Sequence, residues 1–375
     1  MKKSLFAFVV FVIVCFGVIE AQVKPQPVDD NVIQLAVLLD VSNSMDGLIN
    51  QAKSQLWKIV NEFSLARRSG KVPQIEVALY EYGKSSLEQS DGYIRQVVAL
   101  TTDLDKISEE LFALTTNGGD EYCGQVIGRA VKELKWSKSN NVLKVIFIAG
   151  NEPFNQGTVD YKKTCKEAIA SGIIVNAIFC GNSAEGVETK WKDGADLADG
   201  SYSYIDQNQQ VVYINAPQDN EIKRLGEELN KTYISYGSAG VEKKKRQEAQ
   251  DKNAASLASE VAVQRSVAKA SVQYKNESWD LVDAAEQDEK VLEKVKEEEL
   301  PQEMKGMNAQ QRKAYLEGQS KKRDDLQKKI NTLNQERQKY VEQEQKKQAT
   351  GGTLDKAIIG TVRKQAEKKN YEFGK

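Results

Sequence analysis

The stretch that decides the fold is the apolar run Val32 to Leu39 and the five residues that end it, Asp40-Val41-Ser42-Asn43-Ser44. The run reads as a buried strand, and Ile49, Leu56, Trp57, Val60 and Phe63 then recur at helical spacing. One carboxylate and two hydroxyls therefore sit where a strand gives way to a helix. In open α/β sheets ligands collect at that carboxyl edge, where loops and helix N-termini point polar groups into a crevice. Oxygen donors of this kind suit Mg²⁺, a hard cation that prefers octahedral oxygen coordination. Asp followed by Ser and Asn is also ordinary turn and cap chemistry. What favours the cation is the order of elements that follows.

Ile75 to Tyr80 reads as a second strand, and a β segment follows around Gln96 to Leu100. Leu104 to Leu114 and Val126 to Leu134 carry helical periodicity. Val142 to Ala149 is another buried strand, Asp160 to Ala170 a helix, Ile173 to Cys180 a strand, and Glu221 to Leu229 a last helix. Strands alternating with helices predict an α/β fold with a doubly wound, mostly parallel sheet.

With that architecture, the D-x-S-x-S pattern resembles the metal-ion-dependent adhesion site of von Willebrand factor type A domains, the fold shared with integrin inserted domains. The resemblance covers about residues 30–236. It implies a divalent cation, Mg²⁺ or Mn²⁺, on Asp40, Ser42 and Ser44, with an acidic residue of a partner protein completing the shell. The family usually follows a glycine pair with a metal-binding threonine; here Gly118-Gly119 precedes Asp120 and Glu121, and Asp120 stands in the threonine slot. The family's third loop carries an aspartate in a pattern like T-D-G-x-P. Here Ala149-Gly150-Asn151-Glu152-Pro153 puts Gly150 at that position, leaving Asn151 or Glu152 to reach the ion through a water. Partner binding in this family can shift the last helix of the domain, here the one near Glu221 to Tyr233.

Lys2 and Lys3, the apolar run Leu5 to Val14 and on to Val18, and Ala21 have the form of a signal peptide over residues 1–21. An uncleaved membrane anchor is the competing reading. Both give an exported protein, periplasmic or secreted. Three cysteines remain, Cys123, Cys165 and Cys180, for which one disulfide, Cys165 with Cys180, competes with three buried thiols. The chain has no histidine, which removes the commonest general base and transition-metal ligand, so a non-enzymatic role is expected. Formal net charge is only −1, with no basic concentration that would suit nucleic acid.

Past Gly237 the composition turns to Lys, Glu, Gln and Ala, which predicts a helical region over 241–375. Val241 to about Glu299 reads as one or two helices, with a break near Asn276 and a joint at Pro301. Leu316, Leu326, Ile330, Leu333, Tyr340 and Val341 form a stripe whose spacing suggests a coiled-coil seam, Gly351-Gly352 reads as a hinge, and Ile358, Ile359 and Val362 share a helical face. Trp279 and Leu281-Val282 are expected as internal packing. The chain thus reads as an exported, metal-assisted protein-binding module, with self-association through its tail. The alternative is an envelope scaffold that acts through the coiled tail and carries a degenerate metal site.

Overall fold

The computed structural model describes residues 30–206, 208, 213–345 and 354–373. The expected signal peptide and the Gly351-Gly352 hinge lie outside them. Eight strands are present among the described residues: β1 (Val32–Asp40), β2 (Ala66–Arg67), β3 (Gln74–Tyr82), β4 (Ile94–Thr101), β5 (Leu143–Gly150), β6 (Ile173–Cys180), β7 (Tyr202–Ile205) and β8 (Glu372–Phe373). Six form the central sheet in the order β4-β3-β1-β5-β6-β7, parallel throughout except that β4 runs antiparallel to β3. The doubly wound α/β sheet expected from sequence is therefore observed, with β1 at its centre.

Because side chains alternate along a strand, each strand feeds two cores. Ile33, Leu35 and Leu39 of β1 face one side with Ile75, Val77 and Leu79 of β3 and Val145 and Phe147 of β5. Ala36 and Leu38 face the other side with Tyr80, Tyr82, Ile146 and Ile148. That second side is covered by α3 (Cys123–Glu133), α4 (Tyr161–Ala170) and α6 (Trp191–Asp196), the last preceded by the short α5 (Ser183–Glu188). The first side is covered by α1 (Asp46–Ser64), α2 (Leu104–Ala113) and a helix from the far end of the chain.

The helical region consists of α7 (Asp219–Asn230), α8 (Gly240–Leu257), α9 (Ser259–Lys269), α10 (Leu281–Gln287), α11 (Val291–Lys294), α12 (Ala309–Gln345) and α13 (Leu354–Glu367). Its packing redraws the expected boundary between 236 and 241. α7 does not cover the sheet: Ile222, Leu225 and Leu229 pack with Val263 and Val267 of α9 and with Leu326 and Ile330 of α12. α13 does cover it, with Leu354, Ile358, Val362 and Ala366 in the core beneath β1, β3 and β5. β8 then pairs antiparallel with β2, at the C-terminal end of α1. The α/β unit is thus assembled from residues 30–206 and 354–373, and α7 to α12 form an insert between β7 and α13.

The stripe on α12 is also placed differently from the expected coiled-coil seam. Leu326, Ile330 and Leu333 pack in the cluster that holds α7 and α9, and Leu316 packs with Ile234, Leu281 and Met304. A polar helix with a narrow apolar stripe fits either partner, and here its own chain supplies one. Arg323 anchors the helix by donating to the carboxylates of Asp280 and Asp283 at 2.6 Å each and to the Thr232 carbonyl at 2.6 Å. Trp279, Leu281 and Val282 are buried, as expected.

Between insert and α/β unit lies a buried ionic network. Arg265 of α9 donates to Asp105 of α2 at 2.5 Å and to Asp251 of α8 at 2.8 Å, and its guanidinium lies 4.3 Å from the ring centroid of Trp57 on α1. Lys269 reaches the other oxygen of Asp251 at 2.6 Å. Burial alone would raise the Asp251 pKa, but the charges of Lys269 and Arg265 outweigh it and hold the carboxyl down at about 2. The folded value lies below the ordinary one near 3.9, so this stabilisation is complete above about pH 4 and is lost as pH falls toward 2. Urea unfolding of the full chain at pH 5 and at pH 2.5 is expected to differ less for Asp251→Asn than for wild type, by roughly 1–2 kcal/mol.

All three described cysteines are free and buried. The expected Cys165–Cys180 disulfide is not formed. Cys165 lies in the core on the α3/α4 side of the sheet and Cys180 in the core on the α1/α13 side, so the sheet separates them.

Candidate functional site

Four loops meet at the carboxyl edge of β1, β3 and β5. The first is Val41 to Met45, which a single turn of 3-10 helix at Asn43–Met45 carries into α1. Neighbouring loops are laced to it through the backbone: Val41 N–H donates to the Tyr82 carbonyl at 2.9 Å, Asn117 N–H to the Val41 carbonyl at 3.0 Å, and Ser85 N–H to the Gly118 carbonyl at 2.7 Å. Such bonds hold side chains of distant sequence origin in a fixed relation.

At the centre is Asp40, fully buried. Its Oδ1 accepts from the Ser42 N–H at 2.8 Å, while its Oδ2 is buried and has no hydrogen-bond partner. A buried carboxylate oxygen left unsatisfied costs free energy unless a cation or donor meets it. Burial pushes the Asp40 pKa up to about 6, against the pull of the hydrogen bond from Ser42.

The other predicted residues divide. Ser42 is buried beside Asp40, whereas Ser44 is exposed at the rim. Asn151 is brought to Ser44, its Nδ2 donating to Ser44 Oγ at 3.2 Å, and its own Oδ1 is buried without a partner. Asp120 is not brought to Asp40: it is exposed and accepts from the Tyr122 hydroxyl at 3.0 Å. Its neighbour Glu121 is the one that turns inward, 5 % exposed, against Asp40 and Ser42. Burial first, and then the charges of Asp40 and Glu152, raise the Glu121 pKa to about 8. The sequence places Asp120 in the threonine slot, whereas the carboxylate that faces Asp40 in the structure is Glu121. The side to which a short Gly-Gly-Asp-Glu turn sends each carboxylate depends on backbone dihedrals that the glycines leave open.

Gly150 is explained by the register. Asp40 pairs with Tyr82 on β3, and Leu39 with Ala149 on β5, so Tyr82, Asp40 and Gly150 stand in one row. The Tyr82 hydroxyl reaches along that row and donates to the Ala149 carbonyl at 3.0 Å. A Cβ on residue 150 would meet Tyr82 Oη at 2.6 Å and Asp40 Oδ2 at 2.9 Å. No side chain fits there while Tyr82 is in place.

The residues present fit a hard divalent cation. They offer an unsatisfied buried carboxylate oxygen, an unsatisfied amide oxygen, two hydroxyls and a second buried carboxylate, all oxygen donors of the type Mg²⁺ and Mn²⁺ accept.

A mostly parallel, doubly wound sheet with a D-x-S-x-S loop at its carboxyl edge defines the class of this unit. Residues 34–191 match the family model of the von Willebrand factor type A domain, a family that generally serves protein–protein contact. Among solved structures, the conserved hypothetical protein BatB from Bacteroides thetaiotaomicron is similar at 15 % identity and TM-score 0.36, over 46 % of this chain and 90 % of that one. Proximal thread matrix protein 1 from the mussel byssus aligns at 15 % identity and TM-score 0.35, over 46 % of this chain and 41 % of that one. The pilus adhesin SpaC from Lactobacillus rhamnosus GG aligns at 13 % and 0.34, over 47 % and 28 % respectively. No curated protein matches the chain. Among the described residues, no helix is long and apolar enough to cross a membrane.

Proposed function

We propose that this protein is an exported, non-enzymatic binding module, periplasmic or secreted, whose type A domain takes up an acidic side chain of a partner protein through a divalent cation. The observation that carries this reading is Asp40 Oδ2, a buried carboxylate oxygen without a partner at the sheet's carboxyl edge. Asp40, Ser42 and Ser44 would hold Mg²⁺ or Mn²⁺, with Asn151 orienting Ser44 from the third loop. When bound, the cation supplies a Lewis-acid position for an oxygen of the partner. Ser44 and Asn151 lie nearest solvent and shape the entrance, while Asp40 sits too deep to be reached by a partner directly. Asp120, exposed beside Tyr122, belongs to the rim.

Isothermal titration of the full chain with Mn²⁺ tests the proposal. Wild type is expected to bind one ion and Asp40→Ala to lose affinity by more than about a hundredfold, beyond the range typical of residues that only support a ligand. Wild type without measurable Mn²⁺ or Mg²⁺ binding would defeat the reading.

A further inference from the structure

We infer that Glu121 is the second carboxylate of the cation site and takes the place of the acidic residue that Gly150 cannot carry; this rests on the cation reading above. On one side of Asp40 the slot is closed. Tyr82 fills the space a side chain at 150 would occupy, and its bond to the Ala149 carbonyl fixes it there. On the other side the slot is open, because of a second glycine. Gly83, at φ +81°, would place a Cβ 2.8 Å from Glu121 Cγ and 3.0 Å from Asp40 Oδ1, so both acidic side chains lie against the bare backbone of this one residue.

The loop that delivers Glu121 is built for the task. Gly119 sits where a Cβ would meet Ser85 N at 2.7 Å and the Gly83 carbonyl oxygen at 2.8 Å, which lets the two loops close on each other. Gln156 accepts from the Glu121 N–H at 2.7 Å and pins the turn from the third-loop side. The chain therefore positions Glu121 from both neighbours, while Asp120 points away to Tyr122. Asp40 Oδ2, fully buried and unpartnered, is the independent sign that a ligand belongs between these groups. No Lys or Arg forms an ion pair with Asp40 or Glu121 among the described residues.

Two carboxylates change what the site does. Deprotonated together as the ion enters, they set a charge of −2 against a divalent ion, so the loaded centre is neutral and ion retention does not depend on a partner's acid. A partner carboxylate then meets a polarising ion rather than a net positive charge, and recognition rests more on the rim around it.

The test is Mn²⁺ titration of the full chain, followed by calorimetry and by loss of the free-ion electron paramagnetic resonance signal. Glu121→Gln, which keeps the shape, is expected to bind at least about tenfold more weakly than wild type, and Asp120→Asn within about twofold of it. If Glu121→Gln binds like wild type while Asp40→Ala does not bind, the role given to Glu121 is overturned and the cation reading stands. If wild type takes up no ion, both fall. Infrared difference spectra of the wild type on loading need no variant: two shifted carboxylate bands are expected from Asp40 and Glu121, and a single band overturns the inference.

Discussion

A chain ended after Gln345 is expected to lose the cooperative folding of its α/β unit, although every strand of the central sheet remains. Residues 354–373 lie in the core of that unit: Leu354, Ile358, Val362 and Tyr371 are each no more than 2 % exposed. Burying side chains of this size contributes about 1.5–3 kcal/mol each, so the four together approach the 5–15 kcal/mol by which whole domains are stable. Polar contacts add to this. Lys58 pairs with Asp355 at 2.7 Å, Gln365 donates to Asn176 at 2.7 Å, and the Tyr371 hydroxyl donates to the Val32 carbonyl at 3.1 Å. Without α13, apolar residues of α1, β1, β3 and β5 face water. Thermal melting by circular dichroism checks this: the shortened chain should show no sharp transition, and a synthetic peptide of residues 354–373 should restore one. A shortened chain that melts like the full one would mean that α13 only decorates the sheet.

The second large effect is expected at Arg265. Its replacement by alanine should lower stability by about 3–5 kcal/mol, because Asp105 would remain buried without its cation. Asp105 is itself 5 % exposed and also accepts from the Tyr274 hydroxyl at 2.5 Å, so water cannot easily replace the guanidinium. The loss should be partly reversed by Asp105→Asn in the same chain, since the stranded charge is then removed. Urea unfolding of the two single variants and the double variant measures this. A loss below about 1 kcal/mol for Arg265→Ala would show that the network contributes packing and little else. Arg265 also joins α9 to α2 and lies over Trp57 of α1, the helix that leaves the Asp40–Ser44 loop. Its loss should therefore loosen the insert from the α/β unit first, visible as a change in Trp fluorescence before global unfolding.

Much of the sheet was legible in the sequence because buried parallel strands are short apolar runs with little else to be. Ile173 to Cys180 was read to the residue, and β1 and β5 to within one. β7 was missed: its four residues alternate Tyr and Ser before Ile205 and lack that signal. Helical periodicity identified α7, α12 and α13 without saying what each would cover, since an apolar stripe records that a face is buried and not against which partner. For that reason the sequence alone places α7 last in the α/β unit and α13 in the tail, and only the packing exchanges them. At the site, Asp40, Ser42 and Ser44 stand out in the sequence as candidates because they lie within five residues and follow a strand. The row that brings Tyr82 against Gly150, and the inward turn of Glu121 where Asp120 points out, depend on strand register and on the turn at Gly118-Gly119. Neither is written at any single position.

That the α/β unit is closed by residues far from the rest of it has a consequence for how the chain is made. Synthesis delivers on the order of 5–20 residues each second, so the interval between the end of β7 and the emergence of α13 lasts on the order of ten seconds. Through that interval α1 and α2 cover only part of one side of the nascent sheet, and early compaction reaches no complete core. The α/β unit therefore stays incomplete until residues 354–373 have been made, about 150 residues after the last strand of its central sheet.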